Sequence, residues 1–273
     1  MPLVSVIIAC LNSLEHLPRA LDSVLSQSFT DLELVIMDGD SKDGTPNYLR
    51  TLADPRVQWR SERDGGLTQA WNKAVELARG EWLIFLGADD YIWDPNVLVR
   101  AAPLLRAAGP VVLAFGEVCM VAEAGDHVVR HCRFDERALL EQLRGPEGLG
   151  LPHQGFFHRR TALEAQPFDE SFRLAADYEF ITRFTRESDF CFLPIGPIAA
   201  FRMGGLSTNP WVTMEAYREF ARVHRLRGRP IWHGAWQRSK AYAKMLLKAA
   251  LGAVTARRLI NFSRSLRDLP PYR

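Results

Sequence analysis

Cysteine and long apolar runs are both scarce in this sequence of 273 residues. The four cysteines, Cys10, Cys119, Cys132 and Cys191, are widely separated and make no C-x-x-C pair. That spacing argues against a zinc site and a disulfide framework, and so for a reducing, cytoplasmic compartment. No stretch reaches the ~20 apolar residues needed to span a bilayer. Val6-Ile7-Ile8-Ala9-Cys10 superficially resembles a lipoprotein cleavage box. No basic residue precedes it and the run is too short for a signal peptide, so a buried first strand is the better reading. Two phosphate-binding fingerprints are also missing: no G-x-G-x-x-G follows the first strand, and no G-x-x-x-x-G-K-[ST] occurs. A nucleotide bound here must be held by polar side chains and a metal.

What is present is ordinary in bulk and uneven in layout. A 47% hydrophobic and 24% charged composition suits one or two globular domains. The net charge of +2 conceals an asymmetry, because residues 202–273 hold 15 Lys and Arg against 3 Asp and Glu. A basic extension on an acidic body points to an anionic membrane surface or a polyanionic partner. No recognised nucleic-acid motif accompanies it, so no nucleic acid is expected.

Hydrophobic patterning gives a strand–helix alternation. Val4 to Ala9 is a β-branched run, followed by Asn12-Ser13 as a helix cap and by Leu14, Leu17, Leu21, Val24 and Leu25 at helical spacing. Leu32 to Met37 is a second strand, Thr45-Pro46 opens a helix, and Val57 to Trp59 is a third strand. After the Asp64-Gly65-Gly66 turn, Trp71, Ala74, Val75 and Ala78 mark a helix that Gly80 is expected to stop. Trp82 to Leu86 is the fourth strand. Short connections between such units predict a parallel sheet covered by helices. Beyond it, a helix follows Asp94-Pro95, Val111 to Val121 reads as a strand with Gly116 as a bulge, and Phe134-Asp135 begins another helix. Gly145 to Gly150 is a loop that could border an acceptor cleft.

Three polar segments then converge on one rim, because ligands in open α/β sheets bind beyond the carboxyl ends of strands. They are Ala9 to Asn12, Asp38 to Asp43, and Asp89-Asp90. Two adjacent carboxylates at a strand end are costly without a cation or donors to balance them. Mg²⁺ or Mn²⁺ carrying a diphosphate suits such hard oxygen ligands. The dipeptide alone also fits a solvated turn or a cap before Pro95.

The serial order of Val4-Ser5-Val6-Ile7-Ile8-Ala9-Cys10-Leu11-Asn12, Ser23 to Phe29, Ile36-Met37-Asp38-Gly39-Asp40-Ser41-Lys42-Asp43-Gly44-Thr45, Asn72-Lys73-Ala74, Ala78 to Glu81 and Ala88-Asp89-Asp90 resembles the family 2 glycosyltransferases. These are inverting enzymes of the GT-A fold, many of them in bacterial polysaccharide biosynthesis. The resemblance covers roughly residues 3–205. It implies an α/β, Rossmann-like sheet flanked by helices, with residues 1–100 forming a nucleotide-sugar half. Residues 101–208 would be the acceptor and catalytic half of the same domain, and 209–273 a basic helical extension.

The same resemblance implies that Ala9, Asn12, Asp38, Asp64, Gly66 and Asn72 line the nucleotide. Asp89 would contact its ribose and diphosphate, and Asp90 would bind Mn²⁺ or Mg²⁺. Where many members carry a second Asp after the second strand, this chain has Gly39, and Cys10-Leu11 replaces a common Thr-Tyr pair. Uracil, guanine and thymine remain open as the base. Pro152-His153-Gln154 would lie on the acceptor and sugar side. Ala175-Ala176-Asp177-Tyr178-Glu179 would carry the catalytic base, Asp177, at the head of a helix whose dipole favours the ionised form. Glu179 would be a solvated or supporting neighbour. Arg202, in Arg202-Met203-Gly204-Gly205, would neutralise phosphate charge.

The implied reaction moves a hexosyl or N-acetylhexosaminyl group from a nucleotide diphosphate-sugar to a saccharide or lipid-linked saccharide acceptor. Residues 231–273, with Trp232, Trp236, Met245 and Leu246 among Arg238, Lys240 and Lys244, suit docking on the inner face of the cytoplasmic membrane. Helices packed on the body with a solvated basic face fit equally. The competing function is a non-catalytic sugar-nucleotide sensor on the same fold. A sugar nucleotidyltransferase would need a glycine- and arginine-rich loop after the first strand, which is missing.

Overall fold

The computed structural model describes residues 1–123, 125–145, 151–204 and 210–229, with the backbone alone over 210–214. The glycine-rich loop from 146 onward and the expected membrane-docking segment 231–273 lie outside the described residues. Among the described residues no helix is long and apolar enough to cross a membrane, and all four cysteines are free.

The first half follows the expected alternation: β1 (Val4–Cys10), α1 (Leu17–Leu25), β2 (Leu32–Asp38), α2 (Thr45–Leu49), β3 (Val57–Ser61), α3 (Leu67–Leu77) and β4 (Trp82–Gly87). β1 pairs in parallel with both β2 and β4, and β2 with β3. Successive residues of β1 face opposite ways. Val4, Val6 and Ile8 pack under α1 and α4 (Val97–Ala107), whereas Ile7 packs with Val35, Phe85 and the α3 residues Ala70 and Ala74. Burial on both faces explains why these strands are continuous apolar runs.

The second half turns the sheet around. β8 (Phe156–Arg159) pairs antiparallel with both β4 and β6 (Leu113–Val121). The long β9 (Phe190–Arg202) runs parallel to β6, while β5 (Tyr91–Ile92) and β7 (Val128–Cys132) pair antiparallel with β9 and β6. The order is β3-β2-β1-β4-β8-β6-β9-β5, with β7 beside β6, one mixed sheet in which six of the nine strands among the described residues share a direction. Helices α5 (Glu136–Arg144), α6 (Arg160–Ala165), α7 (Ala176–Ile181) and α8 (Pro210–Leu226) complete the cover.

Two local expectations change and a third holds. α3 ends at Leu77, with Ala78 already extended, so Gly80 does not stop it. A Cβ at Gly80 would lie 2.5 Å from the backbone nitrogen of Ser5, and the Gly80 N–H donates to Ser5 Oγ and to the buried Glu33. Close approach, not helix termination, requires glycine there. Asn12 does not cap α1 either: it sits at φ +50° and its Oδ1 accepts the N–H of Lys42. Gly116 does mark a break, because the β6–β9 register shifts across it, between Phe115 and Glu117, and again between Glu117 and Val118.

Candidate functional site

The carboxyl ends of β1, β2 and β4 meet in register, with Ala9 opposite both Met37 and Gly87. Around them lie most of the nucleotide-lining residues expected from the sequence. Asp38 is buried; its Oδ2 accepts Ser61 Oγ at 2.6 Å and the N–H of Ser41 at 3.2 Å. Ser41 Oγ in turn accepts the N–H of Asn12 at 2.7 Å, tying the β1 loop to the β2 loop. Burial, reinforced by the Asp38 charge, pushes the Cys10 thiol well up, so this cysteine is no nucleophile.

Asp64, half-buried, accepts the N–H of Gly66 at 2.9 Å. Gly66 itself sits at φ +124°, a conformation a side chain resists. Gly39 now has a physical reason. A Cβ there would come within 3.1 Å of Asp64 Oδ2, so a second aspartate at 39 would crowd one carboxylate against another.

The acid pair divides into two unlike members. Asp90, expected as the metal ligand, points inward and is 2% exposed. Its Oδ2 accepts from the N–H of Gly87 at 3.0 Å and from Gln154 Nε2 at 2.5 Å, and its Oδ1 from the N–H of Arg202 at 2.8 Å. Burial, then the neighbouring Asp89 charge, pushes its pKa up to about 7. A carboxylate this enclosed organises the fold and has little to offer a cation. Asp89 is half-buried, and among the described residues no donor reaches its carboxylate. No cluster of three or more acidic, histidine or cysteine side chains able to hold a metal exists among the described residues. One open carboxylate fits a divalent ion that takes its other ligands from diphosphate and water, not a protein cage.

Four further expected site residues are engaged in the scaffold. The guanidinium of Arg202 reaches the carbonyl oxygens of Asp89 and Glu123 and the Asp126 carboxylate. Asp126 also grips Arg19 through two bonds, with Arg19 stacked 3.9 Å over Tyr91. Arg202 thus cross-ties β9 to β5 instead of facing phosphate. Asn72 on α3 donates to the Phe168 carbonyl and accepts the Phe168 N–H, clipping the 168–170 segment rather than lining a nucleotide. Gln154 is turned to Asp90, as above, and not to a sugar.

His153 belongs to a one-turn 3-10 helix (His153–Gly155), and its Nε2 lies 2.9 Å from that of His158 on β8. Its ring stacks on Phe85, 5.2 Å between centroids. Burial holds both imidazoles neutral, His153 down to about 3. His153 is therefore core, not an acceptor contact.

Asp177 heads α7, half-buried, with Oδ1 accepting the N–H of Tyr178 at 2.7 Å. Desolvation outweighs that bond and the first-turn position: its pKa rises to about 6 rather than falling as the helix dipole alone would dictate. α7 is six residues long, so its dipole is weak. The helix is docked beside the acid pair's support. Phe180 stacks on His158 at 5.6 Å, His158 meets His153, and the adjacent Gln154 holds Asp90.

Sequence reading missed what holds this helix in place. Glu219 of α8, buried, accepts the N–H groups of Arg173, Leu174 and Ala175, the turn immediately before Asp177. Its charge also contributes to the raised Asp177 pKa. Tyr178 meets His224 of α8 at 2.9 Å. Glu179 is not solvated: it is buried and paired with Arg183 and Arg227. No local signal could reveal a cap supplied from 44 residues downstream.

A mostly parallel sheet interrupted by the reversed β8, an acidic rim over β1, β2 and β4, and a carboxylate at the head of a helix beyond the returning strand define a GT-A-type sugar transferase. The family model "Glycosyl transferase family 2" matches residues 5–164, and the chain belongs to that family. Its reaction is transfer of a sugar from a nucleotide-sugar.

Among curated relatives, the PGL/p-HBAD biosynthesis glycosyltransferase of Mycobacterium tuberculosis is 33% identical over 186 residues, covering 67% of this chain and 69% of the relative. An uncharacterized glycosyltransferase of the same organism is 31% identical over 194 residues, 67% and 68% covered. Two solved structures share the fold. S. aureus TarS 1-349 in complex with UDP-GlcNAc has a TM-score of 0.59 at 19% identity, over 82% of this chain and 66% of that one, just under two thirds of its length. Mannosyltransferase PcManGT from Pyrobaculum calidifontis in complex with GDP-Man and Mn2+ has a TM-score of 0.58 at 22% identity, over 97% and 80%.

Proposed function

We propose that this transferase works by a single displacement with inversion, and that Asp177 is its base. The carrying observation is a carboxylate with pKa about 6, set at a helix head next to the structure that holds the acid pair. A base of that pKa is ionised at neutral pH and still able to accept a proton. In this reading Ala9, Asn12, Asp38, Asp64 and Gly66 frame the nucleoside, and Asp89 faces the diphosphate. Residues 1–100 hold the donor, and residues 101–208 bring the acceptor hydroxyl to Asp177 as its oxygen attacks the anomeric carbon.

A divalent cation, Mn²⁺ or Mg²⁺, would offset charge developing on the departing diphosphate. The fit described above supports Asp89 as its protein ligand. The Mn2+ and GDP-Man bound to the Pyrobaculum enzyme support metal use, and the UDP-GlcNAc bound to TarS supports a diphosphate-linked donor. The PGL/p-HBAD biosynthesis for which the mycobacterial relative is named favours a lipid-linked acceptor and, with the basic extension, a place on the inner face of the cytoplasmic membrane.

Asp177→Asn tests the core claim. It should reduce transfer at least a thousandfold while leaving donor affinity unchanged; normal turnover in that variant would refute the assignment. A thermal-shift screen of UDP-, GDP- and dTDP-sugars, with and without Mn²⁺, identifies the base and the metal requirement.

A further inference from the structure

A second polar feature lies at the other end of α7. Arg144 at the close of α5, Arg183 and Arg186 just past α7, and Arg227 and Arg229 just past α8 line a cleft of about 570 Å³ together with Thr182 and Thr185. Among the described residues only one carboxylate pairs with the guanidinium groups of these arginines, the buried Glu179, which holds Arg183 and Arg227. The other three are not neutralised. Arg144 donates to the carbonyl of Thr185. Arg186 is bonded through its backbone N–H to Asp189, and its guanidinium meets no acceptor among the described residues. Nη1 of Arg229 is buried with no hydrogen-bond partner.

Guanidinium groups crowded this way repel one another, and a dehydrated, unpaired N–H is costly. Both penalties vanish when an oxyanion enters. Arginine, not lysine, is the side chain whose planar fork matches phosphate with two parallel bonds. The Thr185 hydroxyl adds a neutral donor, whereas that of Thr182 is already spent on the Glu179 carbonyl. The volume falls in the range of ligand pockets and exceeds what a bare phosphate fills.

We propose that this cleft binds a phosphate- or diphosphate-bearing group, at a site separate from the donor diphosphate at Asp89. The proposal does not depend on the role given to Asp177. Its ligand could be an anionic phospholipid headgroup or a soluble phosphorylated molecule, and the two are separable by experiment.

The test uses the full chain and the variant R144Q/R186Q, whose two side chains are exposed and hold neither Glu179 nor the α7 turn. Calorimetric titration with inorganic pyrophosphate should show binding by the parent chain, and binding at least tenfold weaker in the variant, about one charge-assisted contact or more lost. UDP-sugar affinity and melting temperature should stay unchanged. A second arm measures co-sedimentation with phosphatidylglycerol and phosphatidylcholine vesicles. An equal tenfold loss on phosphatidylglycerol alone assigns the headgroup, and a loss confined to pyrophosphate assigns a soluble phosphorylated ligand. No pyrophosphate binding by the parent, or equal affinity in the variant, overturns the proposal.

Discussion

Gln154 Nε2 donates to Asp90 Oδ2 across 2.5 Å, joining the end of β4 to the turn that opens β8. Among the described residues, every bond the Asp90 carboxylate makes is to an N–H, on both oxygens. An asparagine there would set an amide nitrogen against another donor. Asp90→Asn should therefore cost about 2 kcal/mol and lower the melting temperature by about 5 °C. Asp89→Asn should leave the melt unchanged and weaken Mn²⁺-dependent donor binding at least tenfold. Calorimetric melts and donor titrations on the two variants decide which aspartate serves the metal.

The raised pKa of Asp177 sets a pH profile. Transfer should rise about tenfold per pH unit up to about pH 6 and level off above it. A profile flat from about pH 4.5 to 8 would exclude Asp177 as the base.

In the proposed mechanism Glu219 positions the base through the turn that precedes α7. Glu219→Ala removes the acceptor of three backbone N–H groups and should cost about 3 kcal/mol of stability. Turnover should fall at least tenfold with the donor KM unchanged, and Glu219→Gln should recover part of it. Because the Glu219 charge raises the Asp177 pKa, both variants should move the acidic limb of the rate profile to lower pH. A merely structural loss would leave the limb in place.

The His153–His158 pair makes stability sensitive to acid. Both imidazoles have folded pKa values depressed below 6.5, so their contribution is complete above pH 6.5 and lost as pH falls toward 3. His153 alone should withdraw about 2 kcal/mol at pH 5. Asp90 and Asp177 run the other way: their raised values contribute most below about pH 4, and that contribution is lost as pH rises through 6 to 7. His158→Asn should therefore shrink the stability lost between about pH 7.5 and 5, measured by urea unfolding at each pH.

Gly80→Ala would force a methyl group to within 2.5 Å of the Ser5 nitrogen and 2.8 Å of the Val4 carbonyl carbon. Backbone cannot yield as a side chain can, so a loss of about 3 kcal/mol is expected in denaturant unfolding.

The first half was readable because each of β1, β2 and β4 is a run buried on both faces, and such runs announce themselves. The second half hid for specific reasons. β9 carries Pro194, Gly196 and Pro197 and pairs with β6 in two offset pieces, 190–192 and 197–202, around a bulge. β8 is four residues long and runs straight into α6. Asp177 stands out only through family resemblance, and its support by Glu219 depends on packing between distant segments. Asp90, Asn72, Arg202, Gln154 and His153 turn their side chains into the scaffold, where the sequence suggested that they face a ligand. A sequence shows that a polar side chain stands at a strand end, not whether it turns outward or inward.

The reversal at β4 has a consequence for dissection of the chain. Residues 1–100 contain four contiguous parallel strands and look separable, yet β4 gains its second neighbour only when β8 returns from residue 156 onward. A fragment cut at residue 100 would present Trp82–Gly87 as a bare, fully apolar edge, open to pairing with other copies. It should aggregate rather than stand as an isolated donor-binding module, and the same hazard attends the nascent chain until β8 leaves the ribosome.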